Sequence, residues 1–304
     1  MTATSVAIFL SVQVFFTLGD LLSIWWESGR PNWSEFRRDH LLPTVAIVFF
    51  WILFFAVQVG GLSLIPGLDT LVPTLQSLLG INPALAAREL AISEQYYVWN
   101  LLVISFFTVS FWDYVGHRFV FHHRFFWFLH EYHHLPRRVF NGMPGISVRP
   151  FVFASTSLTY VATFATMALP LSAADDAVAW GFISLLPVLI LTLTLILSLN
   201  HSHLCRRFPW IHSVLKITTI ATPQEHIYHH SVNHEGNFGN FSTLWDRVFG
   251  TYISPKPDVR ETLSLGLTYD QDFFGTLTLG KIKVPQAWRK KFGLARFCPS
   301  GAVK

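Results

Sequence analysis

Residues 129–134 read LHEYHH, and the stretch HIYHH recurs at 226–230. Both carry the pattern H-x-x-H-H. Positions 0, 3 and 4 share a direction only on an α-helix, which turns once every 3.6 residues. Each stretch therefore predicts a helix that points three imidazoles one way: His130, His133 and His134 from the first, His226, His229 and His230 from the second. Two such faces packed together supply six nitrogen ligands. The first stretch also reads H-E-x-x-H, the pattern of a one-zinc protease with Glu131 as general base. The second has Ile227 where that glutamate would stand, so the repeated pattern does without it.

A further cluster lies upstream in DYVGHRFVFHH, with Asp113, His117, His122 and His123. His117 and His122 are five residues apart, about 140° on a straight helix. They converge on one site if the helix widens into a π-bulge, a feature that recurs at functional sites; otherwise they face two metals. Asp113, four residues before His117, is placed to accept its second N–H and fix the tautomer. Between the H-x-x-H-H stretches sits NHSHL, with His201 and His203.

Of fourteen histidines only His40 precedes His117, a one-sided distribution that marks a site. His40, His212 and His234 stand apart from the clusters and read as interfacial residues. Imidazoles packed against one another repel when protonated, and metal coordination removes that cost. Imidazole suits zinc, copper, iron and nickel. One catalytic zinc takes three protein ligands and keeps a position open. Eight or more clustered histidines overfill such a site and fit two metals.

The surroundings are apolar. Hydrophobic residues make up 51% of the 304, with 29 Phe and 11 Trp, and charged residues only 13%, against roughly a quarter in soluble domains. Five stretches approach the roughly 20 residues that cross a bilayer: about 4–26, 41–65, 96–112, 150–171 and 177–199. The first lacks the basic start and small-residue exit of a cleaved signal and reads as a retained span. The last two form a hairpin that either spans fully or is re-entrant. Segment 66–95, with Pro66, Pro73 and Pro83, reads as interfacial or re-entrant. Lys and Arg gather in 27–40, 113–149 and beyond residue 200, whereas 66–95 holds only Arg88. With five spans these basic loops share one side, the cytoplasm by the positive-inside rule. The N-terminus is then outside, and the C-terminus and the histidines inside.

The expected fold is an all-α integral membrane protein of four to five transmembrane or re-entrant helices with a cytosolic histidine-rich helical cap. It divides into an N-terminal transmembrane region (1–112), a catalytic region (113–253, including the hairpin 150–199) and a cytosolic tail (254–304). The net charge of +4 fits basic loops at anionic headgroups, with no nucleic-acid partner. Cys205 and Cys298 cannot build a disulfide framework, and no haem-attachment or iron–sulfur spacing is present.

In so apolar a chain the natural substrate is a lipid from the bilayer. Its C–H bonds are not hydrolysed; they need an oxidant, and O₂ activated by non-haem iron supplies one. The rival readings are an intramembrane zinc metalloprotease built on HEYHH, weakened by Ile227, and a metal-transport protein. A transporter distributes its histidines along the spans, and these avoid all but the third, apart from His201 and His203 just past the fifth.

Over about 110–253 the chain resembles the fatty acid hydroxylase/sterol desaturase superfamily of integral-membrane di-iron enzymes. The likeness rests on HRFVFHH, HEYHH, TPQEHIYHH and the downstream NFGNFSTLWDRVFGTY. It implies His117, His122, His130, His133, His134, His226, His229 and His230 as iron ligands and catalytic residues. Where the family often has an H-S-N-like element this chain has HSH, so His201 matches the ligand-like position, His203 replaces the asparagine, and either or both are candidates. Asp113 and His123 are expected beside the ligands, and Asn237, Trp245 and Asp246 of the tail motif are expected to brace the third box. The resemblance further implies two ferrous ions, replaceable by zinc on purification, and O₂ as co-substrate. It implies a sterol, fatty acyl chain, ether lipid or carotenoid as substrate for hydroxylation or desaturation. Electrons would come from an external donor such as cytochrome b5, a ferredoxin or a reductase.

Overall fold

The computed structural model describes residues 3–27, 33, 41, 91–134, 154–231, 235–255, 263–267 and 287–288. The predicted span 41–65 lies outside these apart from Leu41, as do residues 66–90 and most of the tail 254–304.

Among the described residues the regular elements are helices. Helix α1 covers Ala3–Glu27 and α2 covers Ile92–Val115. The Glu94 carboxylate accepts the Ala91 N–H at 2.7 Å and closes the start of α2. At its other end α2 runs into a π-helical turn, Gly116–Phe121. A 3₁₀ turn at Trp127–Leu129 leads into α3, Glu131–His134. Helices α4 (Ala154–Ser172) and α5 (Asp176–His201) form a hairpin. Asp175 caps α5 by accepting the Ala177 N–H at 2.9 Å. The short helices α6 (His203–Arg206), α7 (Pro209–Leu215), α8 (Pro223–His229) and α9 (Leu244–Val248) follow.

Among the described residues two helical stretches are long and apolar enough to cross a membrane: Ile92–Phe121 and Asp176–His201. The sequence predicted four to five such segments. In α4 the described residues carry a shorter apolar stretch, Val161–Ser172. At about 1.5 Å per residue the 24 residues of α2 extend about 36 Å, beyond the roughly 30 Å hydrocarbon layer. The histidine end of α2 thus falls at an interface when its apolar part is centred.

Helix α2 packs between α4 and α5 through Val98, Leu101, Leu102, Met167, Leu171, Val178 and Phe182. Lower down, Val109, Leu193 and Ile196 meet Phe241. In lipid, burial against another helix gains little over burial against acyl chains, so close packing and hydrogen bonds hold the helices together. Trp112 Nε1 donates to Thr166 Oγ1 at 2.9 Å (α2 to α4) and Gln13 Nε2 to Ser198 Oγ at 2.8 Å (α1 to α5). Thr108, Ser110, Thr163, Thr166, Thr192 and Thr194 each return their hydroxyl to the carbonyl four residues back. That satisfies the hydroxyls where water is absent. The outward faces stay apolar, with Phe15, Leu22, Val103, Val161, Phe164 and Leu169 exposed.

Candidate metal centre

Four elements bring histidines to one place. In the π turn after α2, His122 N–H donates to the His117 carbonyl at 3.1 Å, five residues back. The widened turn returns His122 to the side of His117, with ring centroids 5.2 Å apart. Of the two geometries open at this spacing, the structure takes the π-bulge. The second box is set by two tight backbone bonds, His130 N to Trp127 O and His133 N to His130 O, both 2.8 Å. His201 ends α5. The third box is α8, buried at every residue.

Helix α8 owes its position to polar residues around it. Thr222 and Glu225 form a reciprocal capping box, signalled by T-P-Q-E in the sequence. The Glu225 carboxylate also accepts Tyr252 OH at 2.7 Å. Asn237, at φ 53°, donates to the Glu225 and Ile253 carbonyls, both at 2.9 Å. Gln224 Nε2 reaches the Arg206 and Phe208 carbonyls at 3.2 Å.

The loop after α8 orients ligands from two boxes. The Phe238 carbonyl accepts His117 Nδ1–H at 2.6 Å and the Gly236 carbonyl accepts His229 Nδ1–H at 3.2 Å. Asp246 holds this loop, accepting Phe238 N–H at 2.8 Å, Gly239 N–H at 2.9 Å and Thr251 Oγ1–H at 2.8 Å. A Cβ at Gly239 would stand 2.1 Å from the Ser242 carbonyl oxygen, which reserves the position for glycine. Burial lifts the Asp246 carboxyl to about 6 against these donors, and burial with Glu225 lifts the Tyr252 phenol to about 12.

Nine imidazoles divide into two groups, each with its nitrogens within 4.8 Å of one another. The first holds His117, His122, His130, His134 and His229; the second holds His133, His201, His226 and His230. The boxes are therefore shared crosswise. His130 and His134 enter the first group while His133 enters the second; His226 and His230 enter the second while His229 enters the first.

The donor set fits metal ions. His117–His130, His134–His130 and His226–His230 approach Nε2 to Nε2 at 3.0, 3.1 and 3.0 Å, and His201 lies 2.9 Å from His226 and 3.3 Å from His133. His117 and His201 spend their Nδ1 protons on the Phe238 and Leu197 carbonyls, so their Nε2 atoms offer lone pairs. His229 Nε2 and His122 Nε2 are buried without a hydrogen-bond partner. A cation among such lone pairs turns repulsion into bonds. With metal–nitrogen bonds of about 2.1 Å, nitrogens at right angles are about 3.0 Å apart and tetrahedral ones about 3.4 Å. The spacings from 2.9 to 3.1 Å match right angles, and the 3.3 Å between His201 and His133 lies nearer the tetrahedral value. Burial first, then neighbouring imidazoles, holds the protonation of His133, His134, His226, His229 and His230 well below the ordinary range, and burial with His117 takes His122 down to about 2. Neutral imidazole is the form that binds metal.

Other expected residues fall elsewhere. Asp113 does not receive the second N–H of His117, because the Phe238 carbonyl takes it. Asp113 instead accepts Asn240 N–H at 3.1 Å and Asn240 Nδ2–H at 3.2 Å, and Asn240 Nδ2 lies 3.2 Å from His117 Nδ1. Asn240 also receives Asn200 Nδ2–H on its carbonyl, which joins the loop to α5. His203 is buried, belongs to neither group, and has Nδ1 2.7 Å from Arg206 Nη2. His123 is exposed, its ring against Phe125 and Phe126. Trp245 packs edge-on to Phe111 of α2 at 5.0 Å. His212 pairs with Thr222 Oγ1 at 3.0 Å; His40 and His234 lie outside the described residues. Asn200 carried no signal in the sequence, and Asn240 and Tyr252 stood within the tail motif without an assigned role, since each acts through a partner distant along the chain. The zinc-protease arrangement finds no support: His130 and His134 share a group with three further imidazoles, which overfills a four-coordinate site.

A family model described as fatty acid hydroxylase matches residues 102–251, about half the chain and the region that carries all nine imidazoles. Comparison with curated proteins and with solved structures gives no match. With two membrane-length helices and this centre, the chain is a membrane protein of a hydroxylase family. Through residues 102–251 it belongs to the fatty acid hydroxylase family, within the sterol desaturase/fatty acid hydroxylase superfamily.

Proposed function

We propose that the chain is a membrane-bound non-haem di-iron oxygenase that hydroxylates, or desaturates, a C–H bond of a lipid drawn from the bilayer. Its electrons come from an external donor, and its site lies on the cytoplasmic face. One observation carries the reading: the five-plus-four division of nine imidazoles. Five imidazoles in one group, with His117 and His134 at 3.0 and 3.1 Å from His130, suit an ion that takes five or six ligands, as iron does, and not a four-coordinate zinc. When bound, the iron pair supplies the O₂-derived oxidant that a lipid C–H bond requires.

The chain's own residues hold, orient and shield. The carbonyls of Phe238, Gly236 and Leu197 fix Nδ1 as the protonated nitrogen of His117, His229 and His201 and leave Nε2 to bind. Phe121 stacks on His130 at 5.5 Å, and Trp127 and Phe238 lie 5.1 and 5.2 Å from His122. These rings keep bulk water from one side of the five-histidine group. Exposed basic residues such as Arg124 and Arg207 suit an acidic electron donor.

Metal analysis of the purified protein, paired with His229→Ala, tests the proposal. The expected result is two irons per chain and a change in His229→Ala. One zinc per chain, unaffected by the substitution, would overturn it. Lipid extracts from cells with and without the gene should differ by one added oxygen or two lost hydrogens in one lipid class.

A further inference from the structure

Helix α1 precedes the family-matched region, yet it touches the metal centre's support. From Ala3 to Trp26 its only charged residue is Asp20, fully buried. An ionisable group in an apolar helix is costly unless it is satisfied, and it marks function. Asp20 Oδ1 accepts Ser202 Oγ–H at 2.8 Å and Leu204 N–H at 3.0 Å. Ser202 Oγ in turn accepts Cys205 N–H at 3.0 Å. Together these side chains take two of the orphan N–H groups that open α6.

The bend they hold is the one that ends α5. Ser202 is extended, φ −73° and ψ 117°, between His201, the last residue of α5, and His203, the first of α6. His201 is the one residue of α5 in either histidine group. Its Nδ1–H rests on the Leu197 carbonyl of the final helical turn, so the place where that turn stops sets where Nε2 points. The approach of α1 is close as well: a Cβ at Gly19 would stand 3.2 Å from Leu204 Cδ2. One helical face of α1, seven residues earlier, carries Gln13, bonded to Ser198.

We infer that Asp20 is a positioning residue for the four-histidine group: α1 fixes the bend at Ser202 and so aims His201 at its metal. The inference rests on the histidine groups holding metal. The test loads full-length protein with ferrous iron under anaerobic conditions. It counts the metal and assigns each ion by Mössbauer spectroscopy, using His226→Ala and His130→Ala as references for the two groups. Asp20→Ala should lose the component that His226→Ala loses and keep the other. Asp20→Asn, which retains the Oδ1 acceptor, should restore both. Where Asp20→Ala fails to accumulate, Ser202→Ala carries the test, with iron affinity of the four-histidine group down about 10–100-fold by chelator competition. Asp20→Ala or Ser202→Ala holding both irons at wild-type affinity would overturn the inference alone, as would equal loss of both components. Wild-type protein that binds no metal would overturn the metal reading and this inference with it.

Discussion

The boxes HEYHH and HIYHH share a pattern and divide their histidines the same way, yet they are held by different means. In each, the outer pair, four residues apart, enters one group and the middle histidine enters the other. The third box sits on α8, whose cap, carbonyl and carboxylate are engaged by Thr222, Asn237 and Tyr252. The second sits on one turn of helix after a 3₁₀ turn, and its described supports are backbone bonds and the rings of Phe121 and Trp127. The comparison separates two things that one pattern encodes together. Helical spacing decides which group a histidine joins, and a distant loop decides how firmly it is held.

Replacing ligands breaks the comparison most sharply. His133→Ala should behave like His226→Ala, and His130→Ala like His229→Ala, each losing one metal and more than about 100-fold in turnover, beyond the loss of an outer-shell partner. Pairing by box instead, with His133 behaving like His130, would refute the crosswise sharing. Metal counts on the four variants decide it.

Acid acts on both boxes at once. Free imidazoles take up a proton near pH about 6.5, and the buried ones do so only well below it. The unfolded chain therefore binds more protons in that window. Stability of the metal-free protein is fully present above pH about 6.5 and is lost as pH falls below it. Melting temperatures of chelated protein from about pH 7.5 down to about pH 5.5 should decline; a rise would refute the neutral cage.

Smaller effects sharpen the contrast in support. Asp246→Ala strands the buried N–H groups of Phe238 and Gly239. It should cost about 2–4 kcal/mol in stability and weaken the five-histidine metal about 10–100-fold. Denaturation and chelator competition measure the two. Tyr252→Phe removes one hydrogen bond to a carboxylate and should cost about 2 kcal/mol by denaturation, with both metals retained. Least of all, Glu131→Gln should leave both metals bound and turnover at the wild-type order. A collapse of activity with metals in place would return Glu131 to a catalytic role.

Much of the centre was legible because helical periodicity is local. His130, His133, His134 and the third box could be oriented from spacing alone, and the five-residue gap from His117 to His122 already posed a π-bulge as one of two solutions. What spacing does not encode is contact between segments far apart in sequence. The carbonyl that serves His117 comes from Phe238, 121 residues later, so Asp113, nearer in sequence, was the natural but wrong partner. The choice between His201 and His203 turned on a bend at Ser202 fixed by Asp20, 182 residues earlier. Capping was readable in TPQE, whereas the roles of Asn200 and Asn240 needed the loop's path. Of the predicted spans, 96–112 and 177–199 fall within membrane-length helices, and 150–171 overlaps α4, whose described apolar stretch is Val161–Ser172.

The central claim is that two metals sit in unequal cages filled crosswise by the two boxes. Mössbauer spectra of the anaerobically iron-loaded protein, recorded for wild type and His133→Ala, test it most directly. Wild type should show two distinct components of equal area. His133→Ala should abolish the component that His226→Ala abolishes and leave that of His130 and His229 standing. A single component at one iron per chain, or loss in His133→Ala of the component that depends on His130, would contradict it.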